Sequence, residues 1–293
     1  MDAVNLSTIL IIFFTYFISL FIFSFNKINK TTFNLLFFWH LLFCIIYYLY
    51  SLNNPADSHS YYHSSMNEFF NFQTGAIVIS NFLRIFSYYL ELNYFNCFLI
   101  FNFIGLMGVM FLCLTLIDLN KYRSNIDNYL IYVIIFLPTM HFWSSAIGKD
   151  AFSFLSICLF VWSSINLKVR QKYIILSIIL MFLVRPHIAS IMLTSLIISL
   201  IFYSKIRLKI KILYLFVLSF FAIIISNYAF RYVGLPNFIN YFPFSINFQI
   251  LYEYIENREI VNLTETGGVE ISSMNSIMKI FTYLYRPLPF DAK

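Results

Sequence analysis

Charge is scarce in this chain. Only 11% of its 293 residues are Asp, Glu, Lys or Arg, while 60% are hydrophobic and the mean hydropathy is +0.78. One soluble core cannot hide that much apolar surface, so lipid is the natural solvent. Soluble nucleotide chemistry is not expected either: there is no Walker loop, no Gly-x-Gly-x-x-Gly, no His-Glu-x-x-His and no nucleophile elbow. Cysteine is limited to Cys44, Cys97, Cys113 and Cys158, each inside an apolar stretch and none in a Cys-x-x-Cys pair. They read as small buried hydrophobes, and no metal site is expected from them.

The charge that is present is patterned. Eleven of the nineteen Lys and Arg residues fall in four junctions between apolar runs: Lys27 and Lys30; Lys121 and Arg123; Lys168, Arg170 and Lys172; Lys205, Arg207, Lys209 and Lys211. A net charge of +6 can signal nucleic acid, but basic residues alternating with lipid-length runs point to topology instead, and no nucleic-acid partner is expected. With these junctions cytoplasmic, that side carries two acids, Asp118 and Asp127, and the other side holds eight basic and eleven acidic residues. The runs predict spans at 5–25, 33–52, 95–117, 128–143, 151–167, 173–184, 188–203 and 212–231, with a ninth beginning near 277. The first is too long and lacks the small-residue cleavage site of a signal peptide, so it reads as an uncleaved span. The fold class is all-α, a polytopic membrane helix bundle of about eight to nine spans, because lipid satisfies no backbone groups. It forms a single integral-membrane domain over 1–293, with outer loops 53–94 and 232–276 and no internal repeat.

Three segments depart from simple spans. Residues 76–92 carry Ser80, Arg84, Ser87 and Glu91 along one helical face. A crossing there would invert every later loop, so the segment reads as an outer interfacial helix; the alternative is a crossing helix with its stripe turned inward. The run 173–203 has basic loops at both ends and must turn at Arg185-Pro186-His187, where proline removes a backbone donor. Its first arm, 173–184, would rise about 18 Å, short of the roughly 30 Å hydrocarbon core, which predicts Arg185 below the outer surface. Pro138 breaks 128–143 in the same way ahead of Lys149-Asp150. The stretch 232–276, with Glu253, Glu256, Arg258, Glu259, Glu265, Glu270 and Gly267-Gly268, reads as an outer loop holding a short helix near 247–260 and large enough to cover a site.

Charged groups at membrane depth persist mainly when paired or functional. Asp57, directly after a span, is a candidate general base whose pKa partial burial would raise; a helix-cap role is the structural alternative. Lys149-Asp150 is either an ion pair at a helix start or a phosphate-holding lysine with a carboxylate that orients it or takes a proton. Arg185 and Arg286 each precede proline and present a planar fork suited to pyrophosphate, with interfacial snorkelling as the plainer reading. For Arg84 and Glu91, headgroups or the outer loop are the expected partners. His187 stands beside Arg185 and joins the substrate-binding candidates; a satisfied buried histidine is the other reading for His187, His141 and His40. His59 and His63 have a spacing that permits a metal but that chance also produces, and no metal is assigned.

Three stretches resemble signatures of bacterial oligosaccharide repeat-unit polymerases, of O-antigen or capsule type, and related lipid-dependent glycosyltransferases. They are Asp57-Ser58-His59-Ser60-Tyr61, Pro138-Thr139-Met140-His141-Phe142-Trp143-Ser144-Ser145-Ala146-Ile147-Gly148-Lys149-Asp150, and Tyr285-Arg286-Pro287-Leu288-Pro289-Phe290-Asp291; the Arg-Pro-His turn also fits. Asp291 stands where Glu is usual, and the chain ends before its last span would finish, as a C-terminally truncated copy would. The resemblance implies glycans carried on polyprenyl pyrophosphate, joined at the outer face of a bacterial cytoplasmic (inner) membrane, with membrane lipid and other polysaccharide-assembly membrane proteins as partners. On this reading Arg185, Arg286 and Lys149 neutralise the leaving pyrophosphate and Asp57 or Asp150 takes the acceptor proton. No cofactor is required, since the lipid pyrophosphate is already activated. The rivals are a flippase for the same lipid-linked glycan and a membrane acyltransferase using His141 or His187.

Overall fold

The computed structural model describes residues 5–24, 28–67, 73–120, 126–203, 208–233 and 274–279. Among them the major elements are eleven helices: α1 (Leu6–Ser24), α2 (Lys30–Asn53), α3 (Asp57–Ser65), α4 (Ala76–Ser87), α5 (Tyr94–Asn120), α6 (Ile126–Ile135), α7 (Pro138–Ser144), α8 (Lys149–Ser164), α9 (Leu167–Val184), α10 (Pro186–Tyr203) and α11 (Leu208–Val233). No strand occurs among the described residues. The chain divides into two compact units, Met1–Ala229 and Phe230–Lys293. The described residues of the second are the end of α11 and one helical turn at 276–279.

Four helices, α1, α2, α5 and α11, are long and apolar enough to cross a bilayer, which marks the chain as an all-helical membrane protein. Residues 76–87, 129–144 and 186–202 are apolar but shorter. The long helices divide by what they face. α1 and α11 bury only 17% and 11% of their most apolar stretches, and Phe14 and Phe21 of α1 are 67% and 69% exposed, as side chains solvated by acyl tails are. α5 buries 78% and forms the hub.

Two glycines let neighbours reach that hub. A Cβ on Gly105 would stand 2.0 Å from the Ser144 carbonyl oxygen of α7, and one on Gly108 would stand 3.0 Å from the Leu155 backbone of α8. Small residues one helical turn apart allow the close backbone approach that drives helix association in lipid. Polar bonds add direction: the Thr8 hydroxyl of α1 donates to Asn96 Oδ1 of α5 at 2.7 Å, and Asn96 Nδ2 donates to Ser7 Oγ at 2.7 Å.

The break at Pro138 forms as expected. Leu137 is non-helical, Pro138 opens α7 where its missing N–H is harmless, and the run becomes pieces of ten and seven residues. α9 spans Leu167–Val184 but consists of two helical pieces that meet at a kink, Arg170, with φ −107° and ψ 18°. The regular run after the kink, 171–184, begins two residues before the expected arm 173–184 and rises about 21 Å, still short of the roughly 30 Å hydrocarbon core. Arg170 is held at the kink: it donates to the Trp162 carbonyl at 2.7 Å, pairs with Asp118 at 3.0 Å and stacks 3.9 Å over the Trp162 ring. Its charge is taken up by α5 and α8.

Of the stripe expected over 76–92, three members turn inward; the fourth, Glu91, lies past the end of α4 and is exposed, with φ 49°. Ser80, Arg84 and Ser87 are buried, Arg84 donates to the Ser65 carbonyl and to Asn81 Oδ1, and Ser65 Oγ lies 2.7 Å from Ser87 Oγ. Among Arg84's partners, then, are α3 and its own helix. The loop helix near 247–260, most of the outer loop 232–276, and Tyr285-Arg286-Pro287 lie outside the described residues.

Candidate functional site

The ends of α8, α9 and α10 meet in one polar cluster. Gly148 precedes α8 with an extended backbone, and Asp150 occupies the first helical turn, where the N-terminal amides favour a carboxylate. Arg185 ends α9 and Pro186 starts α10, so the arginine has helix on both sides. Its amide donates to the Met181 carbonyl at 2.6 Å, and its carbonyl accepts from Ile188 N and Ala189 N at 3.0 and 3.2 Å. Held there, Arg185 places Nη2 2.5 Å from Asp150 Oδ1, with the two side chains 31% and 49% exposed. An opening onto the pair therefore exists.

The alternative ion pair, Lys149 with Asp150, is not the one formed. Consecutive helical residues diverge by about 100° and do not face each other, which leaves Asp150 to Arg185. Lys149 is half-buried nearby, and its charge is felt at His187. His187, in the first turn of α10, is within electrostatic reach of Arg185 as well. Three basic groups thus share the space around one carboxylate.

The fourth candidate is reached through α2. Tyr47 is 8% exposed, and its hydroxyl lies within electrostatic reach of both Asp150 and Asp57. Asp57 is the first residue of α3 and is exposed, so the partial burial expected for it is not observed. It follows Ala56, which supplies no side-chain cap, and it stands at the helix start where solvent reaches it. Ile147, Ala151 and Val184, chain neighbours of these residues, are buried in one apolar cluster with Tyr61 of α3. The main-chain amide of Gly75, at φ 89°, closes one edge by donating to the Leu183 carbonyl at 2.8 Å.

The structure thus brings Lys149, Asp150, Arg185 and His187 together and leaves Asp57 within electrostatic reach of Tyr47, as Asp150 is; Arg286 lies outside the described residues. Tyr47 was not legible as a participant. It sits in the span 33–52 among 22 tyrosines, and only its proximity to two carboxylates distinguishes it. The Asp118 and Arg170 partnership was equally hidden, since 52 residues separate the two.

The other histidines are engaged elsewhere. His59 holds one ring nitrogen 2.7 Å from the Ser51 carbonyl and stacks on Tyr94 at 4.8 Å. His40 and His141 are fully buried and face each other, Nδ1 to Nδ1, at 2.9 Å. His141 Nε2 lies 2.7 Å from the Ile135 carbonyl, so the tautomer that fits donates there and accepts from His40. All four cysteines are buried free thiols. Among the described residues no group of three His, Cys, Asp or Glu side chains is placed to hold a metal ion.

No protein-family model matches the chain, and neither the curated proteins nor the solved structures provide a match.

Proposed function

We propose that the protein is a membrane glycosyltransferase that joins oligosaccharide units carried on polyprenyl pyrophosphate during surface-polysaccharide assembly. The observation that carries the reading is the Arg185–Asp150 pair at the shared ends of α8 and α9, with Lys149 and His187 beside it. A partly exposed guanidinium fork with an ammonium nearby suits a pyrophosphate, whose charge grows as it leaves. The acceptor sugar hydroxyl attacks the anomeric carbon, the bond to the pyrophosphate oxygen breaks with its electron pair, and a carboxylate takes the hydroxyl proton. Asp150 is engaged in orienting Arg185, which leaves exposed Asp57 as that carboxylate.

The topology that accompanies this reading has eight spans, the short helices crossing alongside the four long ones, and the basic junctions in the cytoplasm of a bacterial inner membrane. An acyltransferase built on His141 is disfavoured, because that ring is buried against His40 and bonded at both nitrogens.

The test is single replacement of Asp57, Lys149, Arg185 and Arg286 in a host whose surface glycan depends on this protein. Loss of transfer leaves single repeat units on the lipid core, whereas loss of a flippase leaves no glycan at the surface. Normal chain length in all four variants refutes the assignment.

A further inference from the structure

Away from that cluster, α9, α10 and α11 enclose a slot of about 520 Å³. α11 is tied to its neighbours toward its two ends, and between them Leu215 and Leu218 pack on Ile174, Leu196 and Leu200. At one end Ser226 Oγ meets Ser190 Oγ at 2.5 Å and the Tyr228 ring packs against Phe182 at 5.4 Å. At the other, Lys211 Nζ donates to the Ile201 carbonyl at 2.6 Å. The walls are apolar, with Ile178, Leu196 and Phe221 representative, and polarity is confined to Lys168, Gln171 and Tyr214 at one mouth.

We infer that this slot binds one acyl chain of an anionic glycerophospholipid drawn from the surrounding bilayer, with the lipid phosphate at Lys168. Three observations converge. From Gln171, just past the kink, to Ile179 the lining advances eight residues along α9, about 12 Å, and Lys168 lies beyond the kink at the mouth, so the depth approaches one leaflet's share of a roughly 30 Å hydrocarbon core. The polar mouth is basic: Lys168 and Lys172 flank the kink of α9, Lys209 and Lys211 open α11, and no carboxylate is among the described lining residues. Such a juxtamembrane cluster attracts anionic headgroups over zwitterionic ones. An apolar void bordering lipid also forfeits dispersion contacts unless a chain fills it. The inference is independent of the glycan-transfer reading.

The experiment reconstitutes the full chain in nanodiscs of equal phosphatidylglycerol and phosphatidylcholine and identifies the lipid retained on release by native mass spectrometry. One phosphatidylglycerol per chain is expected. Leu196→Trp, which fills the slot, should abolish retention, and Lys168→Glu should cut the preference for phosphatidylglycerol about tenfold while Lys168→Arg keeps it. Equal retention of the two lipids, retention unchanged by Leu196→Trp, or a polyprenyl phosphate retained instead when it is supplied, overturns the inference. Should Leu196→Trp fail to fold, Tyr214→Trp gives a second reading. Its fluorescence should be quenched more by chain-brominated phosphatidylglycerol than by the brominated phosphatidylcholine, and equal quenching counts against the site.

Discussion

Arg185 and Asp150 lie thirty-five residues apart in sequence and 2.5 Å apart in space, each at the end of a different helix. Both remain partly open, so the pair is better placed to bind than to stabilise. Ion pairs this exposed contribute less than about 1 kcal/mol to folding.

Arg185→Ala should therefore leave the melting temperature nearly unchanged and, on the proposed function, lower glycan transfer about 100-fold, the scale seen when one donor to a developing oxyanion is removed. Arg185→Lys should recover only part, because a point charge lacks the fork. Transfer assays on purified protein, with thermal unfolding in detergent alongside, separate the two effects. A drop in melting temperature matching the activity loss would mean the pair is structural.

The hub makes an opposite prediction. Gly105→Ala places a methyl 2.0 Å from a backbone oxygen that cannot move aside, and overpacking of this kind costs about 1–3 kcal/mol. Gly108→Ala should cost less, because its nearest neighbour, at 2.7 Å, is the Phe154 ring, which can rotate. Thermal unfolding of both variants checks the order.

Asp118→Asn removes the carboxylate facing Arg170, where the two side chains are 13% and 19% exposed. A loss of about 1–3 kcal/mol is expected, since a charge-assisted bond disappears at a sheltered site. Arg170→Lys should lose stability too, through the Trp162 stacking that a lysine reproduces poorly. Chemical denaturation of the two variants measures both.

Much of the helix order was readable because proline and lipid-length runs act locally. Pro138 and Pro186 break helices wherever they stand. Less legible is which partner a polar side chain takes. The outer loop is one of two expected partners for Arg84, and Ser65 of that loop accepts from it, as Asn81 does, but the choice of loop over headgroups leaves no mark in the sequence. The charge pattern assigns residues 168–172 to a basic loop, yet they carry helix on both sides of a kink at Arg170, which Asp118 and Trp162 hold. Asp150's choice of Arg185 over Lys149 follows from helical geometry, but only once two distant helix ends are known to meet. Such partnerships are long-range, and periodicity carries no record of them.

The notches at Gly105 and Gly108 also bear on assembly. Ser144 and Leu155, which fill those recesses, come later in the chain than α5, whereas Ser7 and Thr8, which hold Asn96 on the same helix, come earlier. The first half of the chain thus supplies the seat, and the second half the parts that dock into it.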